Sequence, residues 1–415
     1  MDTIIFVEAS QTGAGEVACR YARQCGYSVV LLTTDPGRYP QAIVQYCNHV
    51  VSVDTMDVYE MVEALAMLMS VEDIKAITTT SDFSVVEAAQ LAQYYLLPTN
   101  TPDAVRLFKN KYAVRQAIDL VDSSLNPKYC LIESLADADE FIESTGFPFI
   151  AKPVNGNDSL YVKKVRNIEE LEEYLVIRDR WGVDASGRDF AIGVLLEEII
   201  GGEEFCVDFL KPVNGDLILV GAFRKIISNG LGTDYIKIGA SFPAPRGETK
   251  LLFDKISPVL NQLNFEVGAV NIDCKIVGAD VKILEINPRL VGDQMGSHMV
   301  EIATGKNPAH AVVDLAMGKN LEWQPTISRG VAIHRLTMPI AGYFLGLNNK
   351  EEMIALAGVE SIKVLGILNN WYEPAESNQG VIGSVIVSHN SASEAMDLAT
   401  SIAKSIKINI KKTLH

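Results

Sequence analysis

This chain lacks the residue patterns of the common metal, redox and export chemistries. Its six cysteines (Cys19, Cys25, Cys47, Cys130, Cys206 and Cys274) form no Cys-x-x-Cys pair, and the six histidines are scattered, with none at zinc spacing. Most of the cysteines fall inside apolar periodic segments, so reduced core thiols in a cytoplasmic protein are expected. No apolar run approaches a membrane span, and the opening Met1-Asp-Thr-Ile-Ile-Phe-Val7 has no basic n-region and reads as a first strand. Positive charge is short too. Thirty-six Lys and Arg against 52 Asp and Glu leave a net charge of −16, which argues against nucleic acid and anionic membrane surfaces as partners. There is no internal repeat, no low-complexity segment, and no Ser-His or Cys-His pairing for nucleophilic catalysis.

What is present is a 415-residue chain, 48% hydrophobic and 21% charged, long enough for two or three domains with their own cores. Apolar strands at Thr3–Glu8, Ser28–Thr33, His49–Val53 and Lys75–Thr79 alternate with helical patterns after Gly15 and over Val58–Met69 and Val85–Tyr94. This alternation predicts a parallel, doubly wound sheet. Ser81 and Asp82 are expected to cap the last of those helices. Gly13-Ala-Gly15 invites a dinucleotide reading, with Ala18 where a third glycine would stand and Asp35 as the supporting acid, in a turn before proline. A glycine pair after a first strand fits better with a tight turn aimed at a substrate group.

Pro102 predicts a helix carrying Lys109, Lys111 and Arg115, a basic face of the kind that is ordinarily solvated. An α+β segment follows. Lys128–Ile132 reads as a strand, and Ser134 with Asp137 as a capping box for a helix to Thr145, stopped by Gly146. Pro148–Pro153 is a strand with Lys152 near its end, entering the polar loop Val154–Ser159, where backbone N–H groups and a cation could hold phosphate. Ala191–Glu198 ends in Glu197-Glu198 and leads into Ile199-Ile200-Gly201-Gly202-Glu203-Glu204. Phe205–Leu210 and Leu217–Arg224 form a hairpin over Asn214-Gly215-Asp216, with Lys225 next. Gln324-Pro325 looks like a junction before a small β-rich segment.

The densest chemistry lies in Asn271–Arg289, two strands joined by Gly278-Ala279-Asp280. Val270, Ile272, Cys274 and Ile276 alternate with Asn271, Asp273 and Lys275; Lys282, Leu284 and Ile286 alternate with Ile283, Glu285 and Asn287. A hairpin symmetric about Ala279 sets Asp273 opposite Glu285. Opposed carboxylates repel, and a cation between them removes the conflict. Acid and amide oxygens without His or Cys suit a hard ion, Mg²⁺ or Mn²⁺, with water and phosphate as further ligands. Arg289, just past the strand end, would reach an anion held there. The plain alternative is an exposed hairpin with solvated acids.

Taken together, these segments resemble the ATP-grasp superfamily of carboxylate–amine ligases over nearly the whole chain. Asn110-Lys111-Tyr-Ala-Val-Arg115 is similar to the family's approach to its first ATP lysine, Lys111, and Ala151-Lys152-Pro153 to the second. The stretch from Leu196 to Val207 resembles the adenine hinge. The resemblance implies that Glu197 accepts from the adenine amino group, that the backbone near Ile199 and Ile200 lines the ring, and that Glu204 binds the ribose hydroxyls, with Glu198 and Lys225 also in the nucleotide site. Asp273, Glu285 and Asn287 match the magnesium ligands, and Arg289 the arginine at the reacting centre, which with Lys152 would be catalytic. The phosphate loop departs from the family: Asn155-Gly156-Asn-Asp158-Ser159 has one glycine and an acid, and Ser159 is carried over from it. The implied fold is α/β and α+β, with a Rossmann-like pre-ATP-grasp domain (1–100), a first lobe with linker helix (101–190), a second lobe with the metal site (191–325) and a C-terminal α+β lid (326–415).

The resemblance further implies ATP-dependent formation of an acyl phosphate from a carboxylate, then its capture by an amine. Gly292 and His298, in the tail after Arg289, and Arg335 look most like the amino-acid and dipeptide ligase branch, where they would face substrate. The expected partners are small molecules, amino acids or related acids and amines, with peptide natural-product assembly as one setting and a homodimer left open. The alternatives are a carboxylase or purine-pathway ligase of the same superfamily, and an ATP-binding regulator without catalysis.

Overall fold

The computed structural model describes residues 1–156, 160–184, 187–227, 237–374 and 381–413. Strands β1 (Thr3–Val7), β2 (Ser28–Thr33), β3 (His49–Ser52) and β4 (Ile74–Thr78) form a parallel sheet in the order β3-β2-β1-β4. Every residue of β1 and β2 is buried, as a strand covered on both faces requires. Ile4, Phe6 and Leu31 pack with Val17 and Ala18 of the Ala14–Gln24 helix, while Ile5, Val7 and Leu32 pack with Met61, Leu65 and Leu91 on the other side. The first of these cores is continuous with Leu290, Met295 and Val313 from much later in the chain. That continuity fixes the parallel sheet against the segment that follows Arg289.

The predicted Pro102 helix is two helices, Pro102–Phe108 and Lys111–Asp122. Asn110 starts the second, its side chain accepting from the Ala113 N–H at 3.0 Å, an N-cap that turns the axis. Strands β5 (Tyr129–Ile132), β6 (Phe149–Pro153), β7 (Lys163–Val165) and β8 (Val194–Glu198) make an antiparallel sheet in the order β5-β8-β6-β7, over a core of Phe141, Phe149, Leu171 and Leu196. The chain leaves this sheet only after Glu198, so β8 lies with the first lobe although the sequence placed it at the start of the second.

Strands β9 (Glu203–Lys211), β10 (Ile218–Ile227), β11 (Lys237–Phe242), β12 (Gly268–Val277), β13 (Asp280–Asn287), β14 (Gly330–Thr337), β15 (Gly342–Leu347), β16 (Val359–Val364), β17 (Trp371–Tyr372), β18 (Val381–His389) and β19 (Ile408–Lys411) complete the chain. Eight of them form one sheet, β13-β12-β9-β10-β11-β14-β18-β16, and β17-β15-β19 form a smaller one. The large sheet passes straight across the junction predicted at Gln324-Pro325, because β14 pairs with both β11 and β18. Arg335 is therefore in the interior of a sheet, with a neighbouring strand on each side.

Candidate active site

The pairing expected of the acids is present, by a route the sequence did not show. Asp273 stands opposite Glu285, and Asn271 opposite Asn287. The turn is tight, with Val277 paired to Asp280, and that register carried onward would set Leu284 against Asp273. A β-bulge intervenes: Cys274 pairs with Ile283, Asp273 with Glu285, and Leu284 is the extra residue. The alternation predicted for β13 is thereby corrected. Val281 and Ile283 enter the same core as Ile286, so Ile283 does not share the face of Glu285 and Asn287.

Cations surround this pair. Lys225 Nζ is 2.7 Å from Asp273 Oδ2 and 3.1 Å from Glu204 Oε1. Lys111 Nζ is 3.0 Å from Glu285 Oε1 and also donates to the Gly156 carbonyl. Burial works against ionisation of Glu285, yet Lys111 and Lys152 hold its carboxyl well below the usual carboxylate range. Burial likewise disfavours the Lys225 cation, and Asp273 beside it reverses the balance. Asp273 Oδ1 is buried and has no hydrogen-bond donor. An orphaned anionic oxygen is costly unless a cation completes it, so the donors fit a hard divalent ion. Among the described residues no three His, Cys, Asp or Glu converge as a metal-binding group. The protein ligands would thus be two carboxylates and the Asn287 amide, with phosphate and water supplying the rest.

Two cavities meet at this point. The smaller, about 230 Å³, is lined by Lys111, Lys152, Glu197, Glu198, Ile199, Ile200, Glu204 and Lys225. The larger, about 550 Å³, is lined by Asn287, Arg289, Gly292 and Arg335 together with Asp82, Asp293 and residues 10–12 of the first turn. Asp273, Glu285 and Lys237 belong to both. Ser159 lies outside the described residues.

Three of the predicted residues already have partners within the protein. Glu197 is buried, with Oε1 2.8 Å from Arg115 Nε and Oε2 2.7 Å from Lys152 Nζ. Burial opposes its charge, and Arg115 and Lys152 overcome this. Both carboxylate oxygens already hold cations, and the residue lines the smaller cavity, where its remaining lone pairs can still accept from a nucleotide. Glu198 accepts from the Lys128 N–H at 2.8 Å. His298 lines neither cavity: it sits in a π-helical turn, Met295–Met299, with Nδ1 3.0 Å from Ser297 Oγ, among Glu16, Lys363, Glu301 and Arg20. Burial lowers its pKa. Of the sequence-predicted substrate residues, Arg289, Gly292 and Arg335 line the larger cavity and His298 does not. The Gly13 turn packs on protein backbone. A Cβ at Gly13 (φ +72°) would stand 1.9 Å from the Asp293 carbonyl oxygen.

Several site residues escaped the sequence reading. Asp82, expected as a helix cap, instead lies between Arg289 Nε (3.4 Å) and Lys109 Nζ (3.1 Å). Its signal was positional: it follows the carboxyl end of β4, where open parallel sheets collect ligands. Asp293 accepts from Arg335 Nη2 at 2.5 Å. Asp208, fully buried on β9, takes a hydrogen bond from Asn271 Nδ2 at 2.8 Å and from the Val291 N–H at 3.1 Å, bracing the loop after Arg289.

A nucleotide-sized cleft between two antiparallel lobes, walled by two lysines and an acid pair, has the arrangement of the ATP-grasp fold. Residues 145–298 match the family model described as the ATP-grasp domain. The chain is 21% identical over 367 residues to an uncharacterized protein of Sinorhizobium fredii, covering 87% of this chain and 73% of that one. It is 26% identical over 318 residues to carnosine synthase 1 of Homo sapiens, covering 70% of this chain and 37% of the synthase. It spans 29% of the carbamoyl phosphate synthase large chain of Rubrobacter xylanophilus. Against these two, then, it corresponds to roughly a third of the relative's length. The crystal structure of L-amino acid ligase from Bacillus licheniformis matches over 99% of both chains with a TM-score of 0.80 at 17% identity. Phosphoribosylglycinamide synthetase from Anaerococcus prevotii matches with 0.73 at 16% identity, over 99% of this chain and 100% of that one.

Proposed function

We propose that this chain is an ATP-dependent carboxylate–amine ligase that joins an amino acid, or an amino-acid-like acid, to a second amine through an acyl phosphate. The observation that carries the reading is the junction of the two cavities at Asp273 and Glu285. A nucleotide in the smaller cavity would present its terminal phosphate to whatever occupies the larger one. Lys111 and Lys152 would hold the phosphate oxygens, Glu204 the ribose hydroxyls, and the Ile199-Ile200 backbone the base. Mg²⁺ bound by Asp273, Glu285 and Asn287 would neutralise phosphate charge.

The substrate carboxylate attacks the γ-phosphorus, the bond to the β-phosphate oxygen breaks, and ADP leaves. The amine then attacks the acyl carbon and loses a proton, and inorganic phosphate departs with the former carboxylate oxygen. Both steps move negative charge among anions, and cations fixed in advance lower that barrier. Arg289, held by Asp82, stands where the acyl phosphate would form. The larger cavity pairs Arg289, Arg335 and Lys237 with Asp82 and Asp293, a mixture of signs suited to zwitterions.

The test is phosphate release with ATP over a matrix of paired amino acids. Release that requires both members of a pair is expected. No release with any pair would remove the substrate class, and thermal stabilisation by ATP without turnover would favour a nucleotide-binding regulator.

A further inference from the structure

A bulge frees backbone groups from the ladder, and buried backbone groups need partners. Here the partner is a single side chain. Arg115 donates from Nη1 to the Ile283 carbonyl and from Nη2 to the Leu284 carbonyl, both at 2.7 Å. These are the two carbonyls that flank the register change.

Arg115 is 1% exposed, the largest side chain buried to that degree in the described residues. Its remaining contacts are equally committed. Nε is 2.8 Å from Glu197 Oε1, and Nη1 is also 3.2 Å from Asn126 Oδ1. Asn126 Nδ2 returns a hydrogen bond to the Arg115 carbonyl at 2.7 Å, so the helix backbone at this point is fixed as well. Glu197 passes the constraint on, because its other oxygen holds Lys152. One turn earlier on the same helix, Lys111 holds Glu285 itself.

The register matters because strand side chains alternate. Without the extra residue, Leu284 would oppose Asp273, and Glu285 would turn toward the core that Ile286 now fills. Burial of Ile286 favours the bulge, and the guanidinium satisfies the carbonyls the bulge exposes. We infer that Arg115 is the positioning residue that sets the register of the acid hairpin and, through Glu197, aligns it with Lys152, so that one buried cation places groups from three separate segments. It touches neither nucleotide nor acid pair directly. The inference rests on the proposed role of Asp273 and Glu285 as metal ligands only for its functional consequence; the register claim stands on geometry.

The experiment uses R115K in the full chain. Lysine keeps the charge but has no planar fork to reach two adjacent carbonyls and a carboxylate together. Two readouts are taken: Mn²⁺ affinity in the presence of ADP, by electron paramagnetic resonance titration, and amide exchange over residues 283–287. Residues that orient metal ligands typically contribute roughly 10–100-fold in affinity. That loss is expected, with faster exchange in 283–287 and recovery of affinity when R115A is supplied with methylguanidinium. A folded R115K with native Mn²⁺ affinity and native exchange overturns the inference, as does a fall in melting temperature alone. If the native chain binds no Mn²⁺ with ADP, the ligand reading fails separately. Exchange then decides the register claim: faster in R115K upholds it, unchanged overturns it.

Discussion

Replacing Glu285 with glutamine preserves the shape of the side chain and removes one charge from the point shared by both cavities. Two effects on folding oppose each other. The contact between Lys111 Nζ and Glu285 Oε1, at 3.0 Å, becomes a neutral hydrogen bond, while the repulsion from Asp273 across the strand pair disappears. The Glu285 side chain is 31% exposed, so the lost ion pair is worth about 1 kcal/mol at most. A chain of this size should lose less than about 3 °C in melting temperature. Catalysis should respond far more. A fixed charge acting on the transferring phosphate contributes roughly 10²–10³ in rate, or about 2.7–4 kcal/mol of barrier. The expected signature is therefore a near-native melting curve with ADP formation down by two to three orders of magnitude, and a raised Mg²⁺ requirement. Coupled measurement of ADP at saturating ATP, over a Mg²⁺ series, reads all of this. Activity within threefold of native at every Mg²⁺ concentration would refute the assignment of Glu285, and with it the idea that the acid pair handles phosphate.

Burial pushes the Asp208 carboxyl up to about 7, the hydrogen bonds from Asn271 and Val291 and the Arg289 charge only partly offsetting it and Asp273 adding to it. A folded carboxyl that keeps its proton longer than the unfolded one favours folding most at low pH. Its contribution is present below about 4 and lost as pH rises toward about 7, a gap of roughly three pH units worth about 4 kcal/mol. Urea unfolding of native and D208N proteins between pH 4 and 8 should show the native losing ground to the variant by that order; a constant difference would contradict it. H298A should leave ADP formation within about twofold of native, because His298 lines neither cavity; a loss beyond tenfold would return His298 to the site. G13A forces a side chain to φ +72° and onto the Asp293 carbonyl, so it should cost roughly 3 kcal/mol or more in unfolding free energy. A near-native melting curve would show that the turn and the Asp293 loop separate easily.

Short-range periodicity made much of this protein legible. The unbroken apolar runs of β1 and β2 announced a sheet covered on both faces, and the alternation around Asn271 and Asp273 placed those polar groups on one side of β12. Ser134 with Asp137, Gly146, and the Asn214-Gly215-Asp216 turn appear where local conformational preference put them. Lys111, Lys152, Glu204, Lys225, Asp273, Glu285, Asn287 and Arg289 converge on the two cavities. The strands, caps and turns follow from rules that act within a few residues, whereas the roles of Lys111, Lys152 and Glu204 were implied by the family resemblance.

Tertiary structure decided everything that depended on which surface met which. Arg115 reads as one more cation on a basic helix until β13 is laid beside it, and only then does its burial gain a cause. The bulge at Leu284 is invisible in a stretch that alternates acceptably in either parity; the common core of Ile283 and Ile286 selects between the two. Asp82 caps nothing because Arg289 and Lys109, from distant parts of the chain, reach it first. Glu197 takes Arg115 and Lys152 as partners, and His298 takes Ser297, contacts that their own segments do not announce. Sequence determines what each segment can offer, since propensity and alternation are local. The partner that takes up the offer is settled by packing, since burial and charge pairing act between segments brought together only by the fold.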